Sequence, residues 1–296
     1  MRRLVLATRG SALALAQARS VAGALKSRHS DLDVELRTVH SEGDQRVDLP
    51  LSQSGGQGLF TRVLEEALLK GEADCAVHSL KDLPTQLPEG LALAAIGKRE
   101  DWHDAWLSRD HASALALPQG AVVGTGSPRR RTQLSRLRPD LRYVELRGNV
   151  DTRLRKIDQG DVDGAVLALA GLKRLGLEAH VRSIFDGNEL LPAPGQGFVA
   201  VETRDSGEAY TLCRDAFNHA ESEIEAVCER AFLARLRAGC MSPVGTLAKL
   251  EGASLSLHVF VALNPERPMR REAFGPGRGG RALAEGLADA LLAGGL

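Results

Sequence analysis

Short apolar runs alternate with amphipathic stretches through the first two-thirds of this chain, and that alternation restricts the fold more than any other feature. It implies α/β sheets with many parallel strands. Residues 3–7 are predicted as a strand and 12–28 as a helix, with Ala14, Ala18, Val21, Ala22 and Leu25 on one face. A strand over 34–39 follows, then a helix over 60–70 on Phe60, Val63, Leu64, Ala67 and Leu68, and a short buried strand over 73–78. The pattern resumes with strands over 121–124, 142–146 and 163–169 and helices over 129–137 and 150–159. Glu100–Pro118 is a passage between two such units, and the Pro/Gly-rich stretch Leu191–Gly197 a crossing or hinge. From residue 219 the pattern changes to a long helix over 219–237, an alternating strand over 255–261 and an Ala/Leu-rich helix over 281–293. This is a small α+β unit, with Gly275–Gly280 read as a flexible loop. No internal repeat is visible.

A chain of 296 residues holds two domains, or three smaller ones, at about 150 residues per domain. With 43% hydrophobic and 26% charged residues, wholesale disorder is excluded. Lys plus Arg equals Asp plus Glu at 38 each, so no global basic field argues for nucleic acid. The four cysteines show no C-x-x-C, no zinc-ligand spacing and no disulfide framework. A metal site is therefore not expected, and a reducing compartment is. Met1–Arg9 reads as a first strand and not a signal peptide, and no stretch approaches 18 uninterrupted apolar residues. A cytoplasmic protein without a membrane partner is the expectation.

Three of the cysteines have apolar settings. Cys228 falls on the helical stripe Ile224, Val227, Ala231, Phe232, and Cys213 on the stripe Ala209, Leu212, Ala216, Phe217. Cys75 lies in the short run before His78. Cys240 is different: it sits in Arg237-Ala238-Gly239-Cys240-Met241-Ser242-Pro243, a loop just past an amphipathic helix. A loop cysteine is a candidate nucleophile or attachment point where its thiolate is favoured.

Ligands of open α/β sheets sit beyond the carboxyl ends of the strands. The first strand is followed by Thr8-Arg9-Gly10-Ser11, with Ser11 a helix N-cap. The buried strand is followed by His78-Ser79-Leu80-Lys81-Asp82. After 121–124 come Thr125-Gly126-Ser127-Pro128-Arg129-Arg130-Arg131, with Ser127 a cap and Pro128 at the first helical position. After 142–146 come Arg147-Gly148-Asn149, with Arg153 one turn on. Each end sets a cation beside a helix N-terminus or a Gly/Ser turn, which suits a cleft for a ligand with several anionic groups. Asp82 is the one carboxylate among these cations. Taken singly the signals are ordinary: Arg131, Arg136 and Arg138 read as a solvated helix face, Phe60 and Leu64 as core, and Lys81–Asp82 as an exposed pair worth under about 1 kcal/mol.

Taken in order, these segments resemble the porphobilinogen deaminase (hydroxymethylbilane synthase) family over essentially the whole chain. The resemblance rests on Thr8–Ser11 with Leu13-Ala14-Leu15, Gly58-Leu59-Phe60-Thr61, Ala76–Pro84, Leu146–Asn149, Leu167–Gly176, Pro192-Ala193, Gly195-Gln196-Gly197 and Gly239-Cys240. It implies three domains: 1–98 with 198–216, 102–192, and 219–296. The first two resemble the lobes of type 2 periplasmic binding proteins, and the third is a small α+β unit carrying Cys240. It implies a dipyrromethane cofactor, built from two substrate units and held by a thioether at Cys240. Four porphobilinogen molecules are then joined head to tail with loss of ammonia, and water releases hydroxymethylbilane. A monomeric transferase is the family expectation.

The resemblance also assigns roles. Asp82 would hydrogen-bond the pyrrole N–H groups, stabilise the positive charge left by deamination and assist proton transfer. Ser79, Lys81, Thr125, Ser127, Arg129, Arg130, Arg147, Gly148 and Asn149 would hold the cofactor with Cys240. Arg9, Ser11, Gln17, Phe60, Arg153, Arg174 and Gln196 would bind substrate. Three positions depart from the family pattern. Gln57 replaces a lysine at one cofactor-carboxylate contact, Gly126-Ser127-Pro128 has one hydroxyl fewer, and Pro194 replaces a valine at the hinge. Two other readings are weaker. A binding module that closes on an anion gives no role to Asp82 or Cys240, and a nucleic-acid binder conflicts with zero net charge and 4% aromatic residues.

Overall fold

The computed structural model describes residues 2–39, 61–239 and 241–295. In chain order these form β1 (Arg2–Arg9), α1 (Ala12–Arg28), β2 (Leu32–Val39), α2 (Arg62–Leu69), β3 (Cys75–Ser79) and β4 (Leu91–Ile96). Next come β5 (Asp104–Leu107), β6 (Val122–Gly124), α3 (Pro128–Leu137), β7 (Arg142–Val144), α4 (Val150–Asp158), β8 (Gly164–Ala168), α5 (Leu169–Leu175) and β9 (Ser183–Ile184). The chain continues through β10 (Val199–Arg204), α6 (Glu208–Phe217), α7 (Ala220–Arg235), β11 (Val244–Glu251), β12 (Ser254–Val261), β13 (Met269–Pro276) and α8 (Gly280–Ala293). It divides into two compact units, 1–99 with 198–226 and 100–197 with 227–296.

The first unit is built on the sheet β2-β1-β3-β10-β4, in which β2, β1 and β3 run parallel and β10 runs antiparallel to both neighbours. Leu4 and Leu6 of β1 face one side and Ala7 the other, all buried, so both faces of the sheet are covered. On one side Ala18, Val21, Ala22 and Leu25 of α1 and Leu212 and Cys213 of α6 pack on Leu4, Leu6, Val34, Cys75 and Val77. On the other, Leu64, Ala67 and Leu68 of α2 pack on Ala7 and Ala76. Ser11 caps α1 by accepting the Ala14 N–H at 3.3 Å. A cap contributes about 1 kcal/mol and each buried leucine about 2. The cap thus decides where α1 starts, and the apolar face decides that it forms.

The second unit repeats the plan with a different chain order. Its sheet is β7-β6-β8-β5-β9, with β7, β6 and β8 parallel and β5 antiparallel between β8 and β9. In the first unit the antiparallel inner strand is the last in the chain, and here it is the first. Trp106 of β5 is fully buried, with its indole N–H donated to His111 O at 3.1 Å. It packs closely on Gly164, where an added Cβ would sit 2.2 Å from the ring and 2.8 Å from Leu107 O. Gly164→Ala is therefore expected to cost about 2 kcal/mol by overpacking. A urea melt should show a lower midpoint, and an unchanged midpoint would refute this account of the packing. The same unit holds the antiparallel sheet β11-β12-β13. Leu255, Leu257 and Val259 of β12 are buried, as are Ala284, Ala288 and Leu291 of α8.

Two sequence readings are corrected. Glu100–Pro118 is more than a passage, because it contains β5, whose four residues are all buried. A four-residue strand covered on both faces is too short for any periodicity to show. Gly275–Gly280 is not a flexible loop. Gly275 and Pro276 end β13, Gly277–Gly279 make one 3-10 turn, and Gly280 begins α8. Gly277 donates to Ala253 O at 2.8 Å and lies so close to Leu250 that a Cβ would meet it at 2.6 Å.

Candidate active site

In the first unit, β1 and β3 are parallel neighbours, so Arg9–Ser11 and Ser79–Asp82 leave the sheet at one edge. Leu80, Lys81 and Asp82 form a single 3-10 turn. Leu80 and Leu83 anchor it from both sides in a core with Ile96, Phe198 and Ala200. Leu80 N donates to Phe198 O at 3.1 Å, and Leu83 N to Leu80 O at 3.2 Å. These contacts leave Asp82 exposed and Lys81 half-buried on a fixed backbone. Ser79 is set by Gln17, whose amide N donates to the serine hydroxyl at 2.9 Å while its Oε1 accepts at 3.2 Å. Gln17 is itself buried, so here it orients Ser79.

In the second unit, the carboxyl ends of β6, β7 and β8 share an edge. Thr125 Oγ1 accepts the Ser127 N–H at 3.2 Å, and Ser127 Oγ accepts the Arg130 N–H at 3.4 Å, with Pro128 opening α3. Past β7, Arg147 pairs with Glu145 at 2.6 Å. Gly148 has φ 107, a conformation that favours glycine, and an added Cβ would strike Thr152 at 2.7 Å. Its carbonyl accepts from Arg153 Nε at 2.8 Å, one turn into α4, and Asn149 stands exposed at the head of that helix. Arg174, near the end of α5, donates to Gly197 O at 2.6 Å.

Arg129, Arg130 and Gln196 converge on one residue that sequence reasoning missed. Asp104, fully buried at the start of β5, takes Arg129 Nη1 on Oδ2 at 2.7 Å. Its Oδ1 takes Arg130 Nη2 at 2.7 Å, Arg130 Nε at 3.1 Å and Gln196 Nε2 at 2.9 Å. Burial would push this carboxyl up, but the charges and hydrogen bonds of the two arginines outweigh it and hold it well below the usual range. Arg129 Nη1 also reaches Leu191 O at 2.6 Å, and Arg130 Nη1 reaches Val166 O at 2.9 Å. Arg129 Nε is buried without a hydrogen-bond partner.

Two more buried acids escaped the sequence reading. Glu229 of α7 accepts Gly195 N at 2.7 Å and Ala248 N at 2.9 Å, fixing the Gly195–Gly197 turn beside β11. Glu202 of β10 lies 2.9 Å from His78 Nε2, though without the angles of a hydrogen bond. Neither acid carries a local signal, because each partner is distant in sequence. Phe60, Gln57 and Cys240 lie outside the described residues. Among those described, no helix is long and apolar enough to cross a membrane, and no cluster of His, Cys, Asp and Glu is placed to hold a metal.

Comparison with known proteins gives a consistent result. The family model described as porphobilinogen deaminase, dipyromethane cofactor binding domain, matches residues 4–211. The model described as porphobilinogen deaminase, C-terminal domain, matches residues 223–292. The porphobilinogen deaminase of Syntrophomonas wolfei is 48% identical over 262 residues, covering 88% of this chain and 86% of that protein. That of Chloroherpeton thalassium is 43% identical over 258 residues, covering 87% and 82%. Among solved structures, the methionine binding protein MetQ aligns with a TM-score of 0.47 at 17% identity, over 75% of this chain and 92% of that one.

Proposed function

This chain belongs to the porphobilinogen deaminase family and serves tetrapyrrole synthesis, and from that premise we propose how its residues carry out the reaction. Acting as a hydroxymethylbilane synthase, a transferase, it joins four porphobilinogen molecules head to tail, each losing ammonia, and releases hydroxymethylbilane. The observation that carries this reading is the donor set at the carboxyl ends of the parallel strands. Arg9, Ser79 and Lys81 stand in one unit, and Thr125, Ser127, Arg147, Asn149 and Arg153 in the other.

The dipyrromethane cofactor fits that donor chemistry. It bears acetate and propionate carboxylates, and these residues offer ammonium, guanidinium, hydroxyl and helix N-terminal donors. The buried, unpartnered N–H of Arg129 is a further group that an anion would satisfy. Ser79, Lys81, Thr125, Ser127 and Arg129 would hold the group with Arg130, Arg147, Gly148 and Asn149, and Cys240 would attach it. When bound, it supplies the pyrrole carbon to which the first substrate is joined. Arg9, Ser11 and Phe60, with Arg153 and Arg174, bind the incoming substrate through its carboxylates and ring, while buried Gln17 and Gln196 act behind them, holding Ser79 and Asp104. Each charge-assisted hydrogen bond is worth about 1.5–3 kcal/mol. Asp82 accepts the pyrrole N–H bonds and stabilises positive charge on the substrate as ammonia leaves.

We assign three domains, 1–98 with 198–216, 102–192 and 219–296, supported by the two five-stranded sheets and the separate sheet β11-β12-β13. A cytoplasmic monomer is proposed, the location from the absence of a disulfide framework in the sequence and the oligomeric state from the family resemblance. The test is the stoichiometry of turnover. Purified protein given porphobilinogen should release four ammonia molecules for each linear tetrapyrrole. Ammonia without tetrapyrrole, or neither product, would overturn the assignment.

A further inference from the structure

We propose that Asp104 is a positioning residue for the tetrapyrrole-forming site, acting through Arg129 and Arg130. The proposal rests on the reading that those two arginines hold ligand carboxylates.

Arg129 and Arg130 occupy the second and third positions of α3, and their side chains are only 4% and 8% exposed. Two long cations at the head of a helix would ordinarily extend into water. Here one carboxylate, with no solvent contact of its own, draws both inward. It receives Arg130 through two nitrogens and Arg129 through one, and Gln196 adds a neutral donor to the same oxygen. The remaining contacts are backbone carbonyls, Leu191 for Arg129 and Val166 for Arg130. Gln133 of α3 grips Leu191 from both sides, accepting its N–H and donating to its carbonyl, each at 3.0 Å. The first turn of α3 is thus pinned to β5, β8 and Leu191 before any ligand is present.

The charge balance gives this arrangement a direction. Two buried guanidinium groups face one buried carboxylate, so one positive charge is uncompensated. One N–H, Arg129 Nε, is also unpartnered. An excess buried cation is costly unless an anion comes to it. Asp104 therefore compensates one arginine and leaves a demand that a ligand carboxylate meets. A second buried acid beside Asp104 would extinguish that demand, and loss of Asp104 would leave both guanidinium groups without an anchor. Preorganisation of this kind lowers the ordering cost of binding.

The test compares Asp104→Asn and Asp104→Glu with the wild-type holoenzyme, using Arg129→Gln and Arg130→Gln to check the underlying reading. Three quantities are measured: the fraction of purified chains bearing the mass of two pyrrole units, KM and kcat per bearing chain well below the melting point, and the thermal midpoint. Asp104→Asn should reduce the loaded fraction and raise KM about tenfold or more, since misplacing a gripping group by an ångström is felt at that scale. Asp104→Glu, keeping the charge one methylene further out, should recover part of both. Should Asp104→Asn fail to fold, Asp104→Glu alone carries the test, and wild-type loading and KM in it overturn the proposal. A lower midpoint with unchanged loading and KM in Asp104→Asn would make Asp104 merely structural and overturn it, while a raised KM in Arg130→Gln would keep the ligand reading intact. Wild-type loading and KM in both arginine variants would instead overturn that reading, and the proposal with it.

Discussion

Asp82→Asn is expected to keep the fold and to slow turnover by about two to four orders of magnitude, equivalent to about 3–5 kcal/mol of transition-state stabilisation. The fold should survive because the Asp82 side chain is exposed. The turn beneath it is held by Leu80, Leu83 and the backbone bonds to Phe198 O and Leu80 O, none of which the substitution touches. Surface changes of this kind usually stay within about 0.5 kcal/mol of wild type. The rate should fall because the amide keeps the shape and loses the charge. Ammonia departs from a substrate that becomes cationic, and a neutral amide offers that cation no ionic stabilisation. Its NH₂ also presents a donor where the pyrrole N–H needs an acceptor. The measurement is kcat per cofactor-bearing chain beside a thermal melt. Turnover like wild type at an unchanged midpoint would remove Asp82 from the chemistry.

Much of the fold was legible because its signals are local. The cap at Ser11, the Ser127-Pro128 start and the apolar face of α1 each lie within a few residues, and the structure has all three. The cationic strand ends were legible for the same reason, as they follow apolar runs directly. What escaped depends on distance or brevity. β5 is four residues long and buried on both faces. β10 joins a sheet whose other strands lie more than a hundred residues earlier, so nothing around Val199 announces its partners. The shared strand plan of the two five-stranded sheets left no sequence repeat. Buried parallel strands ask only for apolar residues, which many sequences supply. In sequence Asp104 is one charge among neighbours such as Asp101 and His103. Its role appears only when residues 25, 26 and 92 positions away converge on it.

Cys240 should carry the whole mass of the covalent group, and Cys240→Ala should carry none and show no turnover. The other cysteines are poor candidates on physical grounds. Cys75, Cys213 and Cys228 have no solvent contact, as their apolar settings predict. The Cys75 thiol is pushed up by its hydrogen bond with Cys213 and by burial. A thiol that holds its proton is not a nucleophile, and one sealed in a core cannot meet an electrophile. Cys240 stands instead in a loop sequence bounded by Gly239 and Pro243, where no apolar stripe explains it. Its thiolate, attacking the electrophilic carbon that porphobilinogen presents once ammonia has left, would form the thioether in one bond-making step. Intact mass under denaturing conditions, followed by peptide mapping, reads the result directly. Two condensed pyrrole units on the peptide containing Cys240 are expected. The same mass on any other peptide would displace Cys240 as the attachment point. A thiol that stays bare after incubation with porphobilinogen would leave an anion-binding module as the better account of the chain.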